Sequence, residues 1–125
     1  MSVPASSERF IAKSRELAVD EVMLDLEDSV APDAKGMARE LAVAALRSGG
    51  WDGKLVAVRV NGASTPWAYQ DVIAVVEGAP GAVRTLILPK VTEPAALVWL
   101  DVLLGQVEGG RFRHLRQDQD RKSVV

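Results

Sequence analysis

Asp25, Glu27 and Asp28 set three carboxylates within four residues at the end of an apolar run, EVMLDL. Like charges that close are costly unless a cation or several N–H donors offset them, and a divalent hard ion, or water bound to one, would do so. The same pattern suits a structural network in which Asp28 and Asp33 cap the next helix while Glu27 faces solvent. Arg59 lies in the alternating segment LVAVRVN, with Val56, Val58 and Val60 on one face and Leu55, Ala57, Arg59 and Asn61 on the other. A guanidinium near the end of a buried strand needs an anion, and its fork matches a carboxylate in two parallel hydrogen bonds. Glu27 or Asp28 could supply that carboxylate, and so could a ligand. Lys90, after Pro89, suits a Schiff base if its pKa is depressed, an anion contact, or plain solvation. Arg9 and Lys13, four apart, make a small basic helix face fit for phosphate or for water.

Four short apolar segments carry these groups. Glu21 to Leu26, Leu55 to Val60 and Val83 to Leu88 read as strands, and Met1 to Val3 as the stub of an earlier one. Between them the patterning is helical. Ser6 or Ser7 caps a helix to about Ala18 that buries Phe10, Ile11 and Leu17; Asp33 caps a second, with Met37, Leu41 and Ala44/Ala45 as its stripe and Gly49-Gly50 as its stop. Thr65-Pro66 opens a third, and Thr92 a fourth striped by Ala96, Leu97, Leu100, Leu103 and Leu104. Strand centres about 30 residues apart with one helix in each gap are the spacing of consecutive βα units, so the sheet should be parallel. Half a barrel and an open doubly wound sheet both satisfy it. In either architecture ligands sit beyond the strand C-termini, where Ser6 to Arg9, Asp25 to Asp28, Arg59 to Gly62 and Pro89-Lys90 all fall.

The 125 residues are 48% hydrophobic and 26% charged, the balance of a folded globular domain, but a complete eight-unit barrel needs on the order of 250 residues. No cysteine is present, and His114 is the single histidine, which excludes disulfides, thiolate chemistry and histidine-rich metal sites. No membrane span or signal segment is apparent, so a cytoplasmic location is expected. From Arg111 onward five Lys/Arg face two Asp, and the remainder carries a net charge of -5, which speaks against nucleic acid. Residues 1–110 read as one domain and 111–125 as a basic tail, unstructured or non-native. Trp51, Trp67 and Trp99 share no helix or spacing and read as packing residues, and no dinucleotide fingerprint, P-loop or Ser-centred elbow occurs.

VPASSERFIAKS, EVMLDLEDSVAPDAKGMAR, VAVRVNGASTPWAYQD and TLILPKVTEP, in that order and spacing, resemble the HpcH/HpaI aldolase and citrate lyase β-subunit family, especially its malyl-CoA and citramalyl-CoA lyase branch. The likeness runs from about Val3 to Leu104. It implies an α/β fold, the N-terminal half, about (βα)4, of a truncated TIM (β/α)8 barrel. It further implies a magnesium-dependent carbon–carbon lyase that splits a 3-hydroxydiacyl-CoA (malyl-, citramalyl- or citryl-CoA) into an acyl-CoA and a 2-oxo acid, or runs the reverse condensation. By the resemblance, Arg59 holds the oxo-acid carboxylate, Glu27 and Asp28 support the hydrated Mg²⁺ through its waters, and Arg9, Lys13 and Lys35 lie around the coenzyme A phosphates. Lys90 becomes rim structure rather than a Schiff-base amine. The direct metal ligands of the family, a Glu and an Asp, lie on strands beyond LPKV. The chain is therefore expected to be an incomplete, inactive fragment, poorly stable, with the strand ending at Leu88 unpaired on its outer edge and the inner strand faces uncovered. A homo-oligomer is expected for the full-length protein, with no nucleic acid or membrane partner. The alternatives are a non-catalytic half-barrel interaction module and a class II aldolase acting on free 2-oxo acids, with thioesterase activity on malyl-CoA as a further possibility within the thioester branch.

Overall fold

Alternating β-branched and leucine residues dictate the sheet. Val22 and Leu24, Val56 and Val58, and Leu86 and Leu88 point to one face and are almost fully buried; Leu55, at 61% exposure, points to the other. The computed structural model describes residues 1–83, 85–108, 116–117 and 123–124. Their order is β1 (Ser2–Pro4), α1 (Glu8–Glu16), β2 (Glu21–Asp25), α2 (Lys35–Ser48), β3 (Leu55–Arg59), α3 (Ala68–Gly78), β4 (Thr85–Leu88), α4 (Pro94–Glu108), β5 (Arg116–Gln117) and β6 (Ser123–Val124).

Strands β1 to β4 are parallel and neighbours in chain order, as the spacing of the apolar runs requires. Right-handed crossovers between strands added always on the same side put every helix on one face, whereas a doubly wound sheet needs a reversal of strand order. No reversal occurs among β1 to β4. The core agrees: Ile11 of α1, Ala38 and Ala42 of α2, Val72 and Val75 of α3, and Leu100 and Leu104 of α4 form one cluster with the buried strand face. This is the layering of half a TIM-type barrel. Each buried Val or Leu side chain contributes about 1.5–3 kcal/mol, so the helix-covered face is the main source of stability.

Local signals decide the helix ends unevenly. Ser7 caps α1, its hydroxyl accepting from Phe10 N at 3.2 Å, and Gly49 ends α2 at φ +73° as expected. Asp33 does not cap α2. It falls within a single 3₁₀ turn, Pro32–Ala34, that leads into the helix, so Ala34 occupies the cap position without a side-chain bond. Neither Thr65 nor Thr92 is a cap residue: α3 starts at Ala68, α4 starts at Pro94, and the Thr65 hydroxyl donates to Gly62 O at 2.7 Å instead. Phe10 and Met37, expected inside, are 42% and 50% exposed. The inward face of α2 is one residue out of phase with the expected stripe, being Ala38, Ala42, Ala45 and Leu46. Gly78 at the end of α3 lets that helix approach α2 closely, since a Cβ there would stand 2.7 Å from Val43 Cγ1.

The expected free edge of β4 is corrected. Ile87 and Leu88 pair antiparallel with Val124 and Ser123 of β6, which pairs in turn with β5. Apart from these two short strands, the basic tail at 111–125 lies outside the described residues. Among the described residues no helix is long and apolar enough to cross a membrane.

Candidate functional site

In the β2–β3 ladder Asp25 and Arg59 are direct register partners at the last position, so both side chains leave the same face at the strands' C-terminal ends. Arg59 Nε donates to Asp25 Oδ1 at 2.8 Å and Nη2 to Oδ2 at 2.9 Å, a bidentate pair. The partner is thus Asp25 rather than Glu27 or Asp28. Asp25 Oδ1 also accepts from Glu27 N, and Oδ2 from Ser29 N and Ser29 Oγ. Burial alone would push this carboxyl up, but the bonds from Arg59, Ser29 and Glu27 outweigh it and hold it well below the usual carboxylate range. The bond to Asp25, outweighing the effect of burial and joined by the nearby charges of Asp25, Glu27 and Asp28, raises the Arg59 pKa.

Asp25 engages only one edge of the guanidinium. For the remaining N–H groups no described residue serves as hydrogen-bond acceptor. Glu27 stands close by, with Oε1 3.7 Å from Arg59 Nε, while its Oε2 accepts from Lys90 Nζ at 2.9 Å. The ion pair with Glu27 raises the Lys90 pKa, which opposes use of that amine as a nucleophile and agrees with a place on the rim. Lys90 is also the one described non-glycine residue with positive φ, at 56°. Beside the pair lies a cavity of about 220 Å³ between the loops after β3 and β4, lined in part by Glu27, Gly62, Thr65, Lys90 and Thr92.

Of the three residues that the resemblance set around coenzyme A phosphates, Lys35 faces inward. It is only 6% exposed, its ammonium donates to Leu26 O at 3.1 Å and Glu27 O at 2.8 Å, and it sits 5.0 Å from the Trp67 ring. Burial lowers its pKa, against the opposing pull of Asp71 and the acidic cluster. A buried cation bonded to two carbonyls clamps the loop after β2. Arg9 and Lys13 do stand exposed on α1, Arg9 stacked 5.2 Å from the Phe10 ring. Asp28 is exposed.

A second network was not legible. Asp71 in the first turn of α3, 1% exposed, accepts from Asn61 N and Nδ2 and from Arg39 Nε. Asn61 Nδ2 also reaches Leu26 O at 3.1 Å, so that one carbonyl is held by both Asn61 and Lys35. An acidic residue in a helix's first turn reads as an ordinary dipole partner, and only the strand register shows it reaching under the rim.

The described residues do not furnish a metal's direct ligands. Both oxygens of Asp25 are saturated, Glu27 is engaged by Lys90, and among the described residues no group of three His, Asp or Glu is placed to hold an ion.

The family described as HpcH/HpaI aldolase/citrate lyase matches residues 1–119. The L-malyl-CoA/beta-methylmalyl-CoA lyase of Rhodobacter capsulatus is 35% identical over 113 residues, covering 90% of this chain and 36% of that one. The (3S)-malyl-CoA thioesterase of Cereibacter sphaeroides is 39% identical over 95 residues, 76% of this chain and 32% of that one. The crystal structure of RipC from Yersinia pestis superposes with a TM-score of 0.58 at 29% identity, covering 82% of this chain and 39% of that chain. The chain spans about a third of the length of the curated relatives it matches. Parallel units in chain order and a family match along residues 1–119 together place this chain in the HpcH/HpaI aldolase/citrate lyase family.

Proposed function

We propose that this chain carries the 2-oxo-acid carboxylate site of a carbon–carbon lyase acting on the coenzyme A thioester of a 3-hydroxydiacid. The observation that supports the reading most is Arg59: one edge fixed by a saturated aspartate, the other with no acceptor among the described residues. Binding through a planar fork that is already oriented loses little side-chain entropy, and the fork matches a carboxylate in two parallel hydrogen bonds. In the cleavage the 3-hydroxyl gives up its proton, the bond between the hydroxyl carbon and the carbon next to the thioester carbonyl breaks, and its electron pair passes into the thioester enolate, which is then protonated. The oxo acid so formed keeps the carboxylate that Arg59 holds. Asp25, Ser29 and Lys35 keep the arginine and the loop after β2 in place. Glu27 and Asp28 are the carboxylates to which waters of a magnesium ion would donate, its direct ligands coming from beyond the described residues.

The test is titration of the chain with glyoxylate and with pyruvate, followed by the Arg59 side-chain NMR signal. Saturable binding that Arg59→Met abolishes is expected; binding unaffected by that substitution removes the reading. Because the described residues supply no direct metal ligands, the chain alone is expected to bind oxo acid without turning over malyl-CoA. The thioesterase relative favours a second reading in which the same arginine holds a malyl carboxylate while the thioester is hydrolysed. Products separate the two in any preparation that turns over: acetyl-CoA and an oxo acid for the lyase, free coenzyme A and malate for the thioesterase.

A further inference from the structure

Glu27 has little freedom except in its side chain. Its N–H donates to Asp25 Oδ1 at 2.9 Å and its carbonyl accepts from Lys35 Nζ at 2.8 Å, so the backbone is held from both sides. The carboxylate then sits between two cations, 2.9 Å from Lys90 Nζ and 3.7 Å from Arg59 Nε. Its side chain is 12% exposed, whereas that of Lys90 is 74% exposed, and the backbone that carries Lys90 is constrained. Pro89 and Val91 on either side are buried, and the backbone between them adopts φ 56°, a conformation that a residue with a Cβ occupies at a cost. Strain of this kind persists where the surroundings over-determine it, and here it aims an ammonium at one carboxylate.

We propose that Lys90 is a positioning residue for the oxo-acid carboxylate and acts through Glu27, holding that carboxylate on the Asp25 side of the guanidinium, 3.7 Å from Nε and away from the edge left open, and offsetting its negative charge. The proposal rests on the reading of Arg59 as the carboxylate site. Without Lys90, the nearest cation left to Glu27 is Arg59. Glu27 then competes with the incoming anion for the guanidinium and repels it.

The experiment uses the 125-residue chain in metal-free buffer, with glyoxylate and pyruvate as probes and the Arg59 Nε–H signal as readout. Lys90→Met is expected to weaken binding about threefold to fivefold, the scale of one partly exposed ion pair. In a Glu27→Gln background the same substitution is expected to change affinity less than twofold. Persistence of the full loss in that background would mean that Lys90 touches the ligand directly and overturns the proposal, as does an unchanged affinity on Lys90→Met alone. Lys90→Gly adds a readout that a purely structural lysine would not give. Glycine relieves the left-handed backbone, so thermal stability should hold or rise while binding falls as in Lys90→Met; a joint fall in stability and no effect on binding counts against it. Absence of any titration in the unsubstituted chain overturns the Arg59 reading itself, and is thereby distinguishable from failure of the Lys90 step alone.

Discussion

At the scale of single residues, the Asp25 carboxylate concentrates the electrostatic stakes. Five donors converge on it, two of them from the charged Arg59 guanidinium, in a position with no exposure. Asp25→Asn leaves the Arg59 cation without its counter-charge and is expected to cost about 3–5 kcal/mol, read from urea unfolding. The pH dependence follows from the direction of the shift. The folded-state pKa lies below the ordinary 3.8, so the contribution of Asp25 is complete above that value and is lost as the pH falls further. The urea midpoint should therefore drop steeply in acid for the unsubstituted chain and less steeply for Asp25→Asn. Arg59 and its acidic surroundings were legible because strand alternation places a charged side chain on a defined face. That Asp25 is the partner was not, since a one-residue change in the β2–β3 register would have offered a different carboxylate. The inward turn of Lys35 was not legible for a related reason: only the fold of the loop after β2 brings its ammonium to two carbonyls.

At the scale of elements, β-branched runs bounded by Gly, Pro or polar residues located every strand from β1 to β4 to within a few residues. Helix starts were less legible, because capping depends on how the preceding loop arrives. Ser7 follows a short turn directly out of β1 and caps; Asp33 is carried past the cap position by the 3₁₀ turn that Pro32 begins. Ser7→Ala should accordingly lower stability by about 1 kcal/mol, and Asp33→Ala should leave it nearly unchanged, both by thermal denaturation. The α2–α3 contact gives an opposite-signed test of propensity against packing. Alanine favours a helix over glycine by about 1 kcal/mol, yet the methyl of Gly78→Ala meets Val43 at 2.7 Å. Overpacking at such contacts costs about 1–3 kcal/mol, so net destabilisation is expected, and Val43→Ala in the same chain should relieve it.

At the scale of the whole molecule, helices cover one face of the sheet and, among the described residues, none covers the other, where Leu55 is 61% exposed and Met23 and Ile87 are half-buried. An apolar residue in that position favours association more than folding. Leu55→Thr should leave the melting temperature nearly unchanged while lowering self-association in sedimentation. The sheet order shows how the half-barrel architecture was legible and how its boundary was not. Chain-order parallel strands follow from the 30-residue spacing, but the antiparallel cover of Ile87 and Leu88 by Val124 and Ser123 comes from a segment with no apolar periodicity.

The bond from Leu26 N to Arg59 O, 2.9 Å long, continues the β2–β3 ladder directly past the Asp25–Arg59 position. The Arg59 side chain mounted there cannot let go of Asp25 unless two central strands separate, so the pair shares the free energy of global opening, whereas Lys90, in a loop, can swing out in a local fluctuation. Hydrogen exchange should show the Leu26 amide among the slowest in the chain. The protein thus divides the labour between a palm that stays rigid for as long as it is folded and a thumb that moves on a faster clock.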